Sequence, residues 1–217
     1  MTKFKTLKDH VYDYIATQIM EGKLNPNQKI NESVICSELS ISRTPVREAL
    51  IQLASEEILE NVPRRGFVLR AVNPKEAREI YEVIGILDGL AAYNACDLLT
   101  DKDFLDMKFF IDSMELAINS ENYPMYYKQQ LEFHQTYISK CGNDILISEL
   151  ERLRNKFLKR SYASDVNGEV KEILTLTNDE HREIYRLLTA HEKESARSFI
   201  ASVHWSPEKS KFDLIGE

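Results

Sequence analysis

Glycine, proline and cysteine are all scarce in this sequence of 217 residues, which contains 7 glycines, 6 prolines and 3 cysteines. Four of the prolines precede residue 75, so the remainder of the chain has few residues that interrupt a helix. This composition excludes collagen-like chains and disordered chains rich in proline and glycine. It predicts that the second part of the chain is helical.

The three cysteines, Cys36, Cys96 and Cys141, are too few and too widely spaced for a disulfide framework, and they form no C-x-x-C pair. Buried free thiols in a reducing compartment are the simplest interpretation. Long apolar runs are absent as well, since no stretch of about 18 apolar residues occurs and the N-terminal segment has no apolar core of the signal-peptide type. We therefore expect a cytoplasmic protein that is neither secreted nor inserted in a membrane.

An excess of positive charge, the usual mark of a nucleic-acid-binding protein, is also lacking, because the formal net charge is −7. The charge is unevenly distributed, however. Residues 1–72 contain 10 Lys or Arg and 9 Asp or Glu, whereas the remainder contains 18 and 26. Because exposed charges more than about 10 Å apart are screened, a local basic face in the first part can still bind DNA phosphates.

Helical and strand signals follow one another in a definite order in the first 72 residues. Apolar residues about four apart predict a first helix over 6–21, ended by Gly22. A shorter helix over 32–39, with Asn31 or Asn25 as its cap, precedes a third helix over 43–56.

Two short predicted strands, 58–62 and 67–69, flank Pro63-Arg64-Arg65-Gly66 and form a hairpin with a basic tip. Three helices followed by such a hairpin are the order of a winged helix-turn-helix domain. We predict that this domain occupies residues 1–72.

After a linker at 72–74, almost every residue is predicted to be helical. Polar segments at 165–168 and 175–178 are predicted to break the helical pattern. The predicted helices lie near 75–98, 102–119, 123–140, 145–163, 174–190 and 192–206. The fold class is therefore mainly α, with the N-terminal winged helix-turn-helix followed over residues 75–217 by an all-α antiparallel helical bundle.

The segment 42–50, Ser-Arg-Thr-Pro-Val-Arg-Glu-Ala-Leu, opens the third predicted helix. Arg43 and Arg47 lie four residues apart and therefore share one helix face. In the N-terminal part of a recognition helix, arginine can bind guanine O6 and N7 or a phosphate, and the Ser42 and Thr44 hydroxyls suit phosphate oxygens. The competing interpretation is a solvated arginine pair on an ordinary helix.

This stretch resembles the signature of the GntR family of bacterial regulators. The resemblance implies that Arg43 and Arg47 contact operator DNA and that Gly66 lets the hairpin backbone enter the minor groove. It further implies that Arg64 and Arg65 contact phosphates. The matching residues are Val11-Tyr12, Glu21-Gly22-Lys23-Leu24, Pro26, Asn31-Glu32, segment 42–50, Leu53, Pro63-Arg64-Arg65-Gly66 and Phe67-Val68. The chain departs from the family at Asn27, where a glycine is usual, and at Ser33, where a basic residue is often found.

Three of the five histidines, His134, His181 and His204, fall on predicted helices, and each can face the interior of a bundle. Three neutral imidazoles that converge would hold Zn²⁺, Ni²⁺ or a similar ion. Their separations of 47 and 23 residues form no local metal motif, so ordinary core or surface histidines are the competing interpretation. Of the other two, His10 is predicted to be exposed, and His191, at a predicted helix break, to be a cap or a surface residue.

Residues 75–206 resemble the FCD effector domain found in the FadR branch of the GntR family. The resemblance implies a divalent metal, held by one aspartate and three histidines, that helps to bind a small carboxylate effector. His134, His181 and His204 match the histidine positions. The matching residues are Tyr81-Glu82-Val83, segment 87–91, Phe133-His134, Cys141-Gly142-Asn143, Glu180-His181 and segment 201–204.

Two charged residues of that family site are replaced here. Gln130 stands at the aspartate position, four residues before His134, and its uncharged amide oxygen is a weaker ligand for a divalent cation. Ile84 stands where many members have an arginine that can pair with an anionic effector. The resemblance therefore implies a metal site with less negative charge than its relatives carry.

Taken together, these patterns predict a sequence-specific DNA-binding transcription regulator, and we expect a repressor rather than an enzyme. It would bind a palindromic double-stranded operator as a homodimer and respond to a small-molecule effector. The alternative is a metal-dependent enzyme that uses the three histidines and a water, with Glu180 as the one acidic residue beside them in a suggestive position. A purely structural protein would leave the arginine spacing and the basic hairpin unexplained.

Overall fold

The computed structural model describes residues 6–20, 23–156 and 169–214. Within them the protein is mainly α-helical with one two-stranded sheet, as the sequence predicts. The chain divides into two compact units, the first built mainly from Met1–Val72 and the second from Asn73–Arg154 and Ser164–Glu217. The predicted helix end at Gly22, the last seven residues of the helix predicted over 145–163 and the break at 165–168 lie outside the described residues.

The first unit has the element order of a winged helix-turn-helix, which confirms the prediction. The helices are α1 (Leu7–Met20), α2 (Glu32–Leu39) and α3 (Arg43–Ser55), and the strands are β1 (Leu59–Val62) and β2 (Gly66–Leu69). The strands pair antiparallel in a register that runs from Leu59 opposite Leu69 to Val62 opposite Gly66. One core joins all of these elements, and its buried members include Val11, Ile15, Ile35, Val46, Leu50, Leu53 and Phe67.

Local side-chain chemistry fixes the ends of the short helices. Asn31 caps α2, because its side-chain oxygen accepts hydrogen bonds from the backbone N–H groups of Ser33 and Val34 at 3.1 and 3.4 Å. Ser40, the C-cap residue that follows Leu39, has a left-handed φ of 54° and terminates α2. Asn27, which replaces the family's usual glycine, also has a left-handed φ of 62°, a conformation that asparagine tolerates better than most residues. The departure at this position therefore preserves the turn.

The second unit is built from helices. They are α4 (Pro74–Ala95), α5 (Asp101–Asn119), α6 (Tyr123–Ile138), α7 (Asp144–Lys156), α8 (Glu169–Thr189) and α9 (Lys193–Phe199). A π-helical turn (Ile200–His204) continues α9, and 3-10 segments lie at Cys96–Leu98 and Pro207–Leu214. Asn73 caps α4 by accepting from the backbone N–H of Glu76 at 2.9 Å, and Pro74 occupies the first helical position, where its missing N–H costs nothing.

The break predicted at 175–178 is wrong, because α8 runs without interruption from Glu169 to Thr189. The hydroxyls of Thr175 and Thr177 donate to the carbonyls four residues earlier, at 2.7 and 2.9 Å. The Asn178 amide donates to the Ile111 carbonyl on α5 at 3.2 Å. These polar side chains find partners within or beside the helix, so they do not compete with its backbone hydrogen bonds.

Two glycines allow α4 to lie against the backbone of α9 and the π turn. A Cβ atom added at Gly89 would be 2.7 Å from the Arg197 carbonyl oxygen. One added at Gly85 would be 3.0 Å from the Ala201 carbonyl oxygen and 3.1 Å from the Trp205 Cβ. No larger residue fits at either position without a shift of backbone, so these glycines set the distance between the two segments.

The π turn is defined by the backbone hydrogen bond from the Trp205 N–H to the Ile200 carbonyl, five residues earlier, at 2.9 Å. Such turns insert one residue into an α-helix and re-aim the side chains that follow. Both His204 and Trp205 are buried as a result. Within the described part of the chain, no helix combines the length and the apolar character needed to span a bilayer.

Candidate metal centre and DNA-contacting surface

Three buried histidines of the second unit converge from three different elements. His134 lies on α6, His181 on α8 and His204 in the π turn, and one ring nitrogen of each lies within 4.8 Å of the others. The Phe133 ring packs edge-on against His181, with 4.9 Å between the ring centroids. The structure thus brings together three residues that are far apart in the sequence.

The Nδ1 atom of His134 faces two oxygen atoms. It lies 3.1 Å from Asp88 Oδ2 and 2.6 Å from the Tyr137 hydroxyl, and that hydroxyl donates to Asp88 Oδ1 at 2.7 Å. Burial lowers the pKa of His134 to about 3, because it outweighs the opposing effect of the Asp88 carboxylate. The ring is therefore neutral at neutral pH, which is the state that a metal ligand requires.

His204 is arranged in the same way. Its Nδ1 atom lies 3.0 Å from Glu180 Oε2, and the Lys209 ammonium donates to the other oxygen of that carboxylate. Its Nε2 atom lies 3.1 Å from Nε2 of His134. The two rings therefore face each other through Nε2, and each faces a carboxylate through Nδ1.

Asp88 is a fully buried carboxylate on α4 that joins the site to the rest of the unit. Besides Tyr137 it accepts from the Trp205 indole N–H at 2.7 Å and from the Arg154 guanidinium at 2.9 Å. Burial alone would raise the pKa of Asp88, but Arg154, His134 and Tyr137 outweigh it and hold the pKa well below its usual range. Asp88 is thus ionised and bound on both oxygens.

Gln130 and Ile84 stand at the two positions where the FCD domain usually has a charged residue. Both side chains are buried in the structure, Gln130 one turn before His134 on α6 and Ile84 one turn before Asp88 on α4. The charged groups that surround the histidines are instead Asp88, Glu180, Arg154 and Lys209. Of these four residues, the sequence alone points only to Glu180, as the acidic residue beside the histidines in the alternative of a metal-dependent enzyme.

The donor set fits a divalent ion that prefers nitrogen ligands. In a tetrahedral site with Zn–N bonds of about 2.0 Å, neighbouring ligand atoms lie about 3.3 Å apart. The Nε2 atoms of His134 and His204 are separated by 3.1 Å, close to that value. A second cluster, Cys96, Asp97 and His191, fits less well, because the Lys193 ammonium already binds Asp97 Oδ2 at 2.8 Å.

The residues predicted to contact DNA lie on the surface of the first unit. Ser42, Arg43, Thr44 and Arg47 are all exposed at the start of α3, while Val46, on the opposite face of the helix, is fully buried in the core. Ser42 occupies the N-cap position but makes no side-chain cap hydrogen bond to the described backbone. Its hydroxyl therefore remains available to an external acceptor or donor.

The hairpin carries the other three predicted contacts. Arg64 and Gly66 both have left-handed φ angles, 64° and 86°, and the Arg65 backbone N–H closes the turn on the Val62 carbonyl at 3.0 Å. The Arg65 guanidinium donates to the Asn27 carbonyl at 2.8 Å through Nη2. A Cβ at Gly66 would meet only Lys29, at 3.8 Å, so the backbone angle rather than space favours glycine there.

Each of the two units matches a known protein family. The model of the bacterial regulatory proteins of the gntR family matches residues 7–69, and the FCD domain model matches residues 79–203. A solved structure, E. coli McbR/YncC, shares the fold with a TM-score of 0.78 at 21% identity, over 97% of this chain and 96% of that one.

Curated relatives agree with these matches. The Nta operon transcriptional regulator of Aminobacter aminovorans is 24% identical over 179 residues, which cover 81% of this chain and 80% of the relative. The gluconate operon transcriptional repressor of Bacillus subtilis is 31% identical over 156 residues, 64% of each chain. The chain belongs to the GntR family of transcription regulators, in the branch that carries an FCD domain.

Proposed function

We propose that this regulator is a cytoplasmic transcriptional repressor that binds a palindromic operator as a homodimer and is controlled by a small-molecule effector. Residues 1–72 would form the DNA-binding domain, and residues 75–217 the domain for effector binding and dimerisation. The observation that carries the DNA-binding part is the exposed arginine pair on α3, whose opposite face is anchored in the core. The similar gluconate operon protein is a repressor, which supports the expected sign of regulation.

The roles of the exposed residues follow from their chemistry. Arg43 and Arg47 offer planar guanidinium groups to guanine edges in the major groove, and the Ser42 and Thr44 hydroxyls can bind phosphate at the helix N-terminus. Arg64 and Arg65 supply positive charge at the hairpin tip, and Gly66 removes the side chain that would keep the backbone from the minor groove. A two-fold symmetric protein would present this surface twice to a palindrome.

The change Arg43→Ala is expected to weaken specific operator binding by about 1–3 kcal/mol and to relax base preference, because one base contact is lost. The measurement is a gel-shift titration on DNA upstream of the protein's own coding region, at two salt concentrations and with competitor DNA. Arg78→Ala provides the matched control, since Arg78 is an exposed arginine that pairs with Glu208. Equal losses in the two variants would contradict the assignment of α3 as the recognition helix.

The second part of the proposal concerns the metal and the effector. His134, His181 and His204 would hold a divalent ion such as Zn²⁺ or Ni²⁺, with Gln130 as a neutral candidate for a further ligand position. A metal bound there would supply a Lewis-acidic position for an anionic oxygen of the effector, such as a carboxylate. Glu180 binds Nδ1 of His204 and the Lys209 ammonium, a placement that favours a supporting role over that of a general base.

The change His134→Ala is expected to abolish metal retention while leaving the first unit folded, because His134 belongs to the second unit and has no role in the core of the first. Elemental analysis of protein purified in the presence of Zn²⁺ or Ni²⁺ measures the effect. His10→Ala serves as the control, since His10 is exposed on α1. Equal metal content in both variants would rule out this centre.

A further inference from the structure

We propose that Asp88 and Glu180 are positioning residues that hold His134 and His204 in one tautomer, with hydrogen on Nδ1, so that both Nε2 lone pairs point at one shared position. This inference rests on the metal centre of the proposed function and assigns the groups that prepare it. Neither carboxylate needs to touch the ion, and each acts through the ring that it orients.

The tautomer of His134 follows from its two neighbours. The Tyr137 hydroxyl has a single hydrogen, which it donates to Asp88 Oδ1 at 2.7 Å. Its oxygen can therefore only accept from His134 Nδ1, and Asp88 Oδ2, at 3.1 Å, is an acceptor as well. With acceptors on both sides, Nδ1 carries the hydrogen and Nε2 keeps its lone pair.

The tautomer of His204 follows from the charges around Glu180. The Lys209 ammonium binds Oε1 of Glu180, which leaves Oε2 to accept from His204 Nδ1 at 3.0 Å. Since a carboxylate offers only acceptors, Nδ1 of His204 carries hydrogen too. Glu180 and Lys209 are both partly buried, with 16% and 28% of their side chains exposed, so their pairing is only partly weakened by water.

The consequence is a pair of lone pairs directed at each other across 3.1 Å. Two such lone pairs repel unless a proton or a metal cation lies between them. If either carboxylate were absent, one ring could move its hydrogen to Nε2 and donate it to the other ring. The resulting N–H···N hydrogen bond would close the position to a metal, so the carboxylates keep it open.

This arrangement also compensates for the negative charge that is lost because Gln130 stands at the aspartate position. The inner ligands are neutral, and the negative charge is located one hydrogen bond farther out on Asp88 and Glu180. Both carboxylates are already paired with cations, Arg154 and Lys209 respectively. A site of this kind favours ions that bind imidazole, such as Zn²⁺, Ni²⁺ and Co²⁺, over Mg²⁺ and Ca²⁺, which require direct oxygen ligands.

The decisive variant is Glu180→Gln. Lys209 attracts the oxygen of the introduced amide, which leaves the NH₂ group of that amide facing His204 Nδ1 and forces hydrogen onto Nε2. The Zn²⁺ and Co²⁺ affinities of the full-length protein are then expected to fall about 10–100-fold. Glu183→Gln, which removes a partly exposed carboxylate paired with Arg186 on the same helix, is the matched control and should bind as the parent does.

The rescue variant is Glu180→Gln combined with Lys209→Met. Without the ammonium, the introduced amide can turn its oxygen toward His204 and restore hydrogen on Nδ1. Part of the lost affinity should return, with Lys209→Met alone as the reference. A merely structural role for Glu180 predicts the opposite, because the second change would add to the damage.

Two measurements distinguish a failure of the positioning role from a failure of the metal centre. Long-range ¹H–¹⁵N NMR of the metal-free protein reports the ring tautomers, and it should show Nδ1–H for His134 and His204 in the parent and Nε2–H for His204 in Glu180→Gln. Titration with Co²⁺ or Zn²⁺ alone reports affinity. A parent protein that binds neither ion overturns the metal centre, whereas Nε2–H on either ring of the parent, or parental affinity in Glu180→Gln, overturns the positioning role.

Discussion

Replacement of Asp88 by asparagine is expected to lower the free energy of unfolding of the helical unit by about 3–5 kcal/mol, the usual cost of removing one member of a buried ion pair. Asp88 is fully buried and accepts from Tyr137, Trp205 and Arg154 while also facing His134. Asparagine keeps the volume but removes the charge, which leaves the Arg154 guanidinium with no ionic partner at this position. In either orientation of the asparagine amide, its NH₂ group would also face groups that themselves donate hydrogen bonds to Asp88.

Urea denaturation of the parent and of Asp88→Asn, with a chelator present in both, measures the loss. Asp97→Asn is the control, because Asp97 is an exposed carboxylate paired with Lys193 and such surface pairs often contribute nothing measurable. If both variants unfold at the same urea concentration, then Asp88 does not anchor the unit as its contacts indicate.

Mild acid is expected to destabilise the metal-free protein, and His134 is the cause. Its pKa is about 6.5 in an unfolded chain and about 3 in the folded protein. Between these values the unfolded state binds a proton and the folded state does not, so the free energy of unfolding falls as pH decreases. The slope is about 1.4 kcal/mol per pH unit for one such group, which amounts to about 2 kcal/mol between pH 6.5 and 5.

The check is the urea midpoint at pH 7 and at pH 5 for the parent and for His134→Gln, again with a chelator. The variant lacks the titrating ring and should show a smaller difference between the two conditions. Asp88 does not interfere, because its lowered pKa contributes stability that is lost only below about pH 4, where an unfolded aspartate takes up its proton. A pH dependence that is unchanged in His134→Gln would contradict a buried neutral ring.

Periodicity alone predicts most of the helices, because apolar residues at helical spacing must face a core. The sequence also indicates the winged helix-turn-helix, because segment 42–50 and the Pro63-Arg64-Arg65-Gly66 hairpin are typical local motifs of such a domain. The error at 175–178 has a different origin. Thr175, Thr177 and Asn178 favour turns when considered alone, but tertiary contacts and i−4 hydrogen bonds satisfy them inside α8.

The candidate metal centre could be predicted only in part. The three histidines are candidates by their places on predicted helices and match the histidine positions of the FCD domain. Their supporting groups come from α4, α7, α8 and the C-terminal 3-10 segment, which no local spacing relates to one another. Asp88 could have been recognised from the helical pattern, because it is an acidic residue one turn after buried Ile84 and one turn before buried Ala92. An ionised residue in an apolar stripe requires buried partners, although the sequence does not say which.

The π turn left no sequence signal at all, yet it determines where His204 and Trp205 point. Each residue rotates an α-helix by about 100°, so deleting one residue between Ile200 and Val203 would restore ordinary helical winding and swing both side chains around the axis by that angle. The centre therefore depends on the length of this segment as well as on its ligands. A loss or gain of one codon there could remove the site from a descendant, or create it in one, while every histidine remained in place.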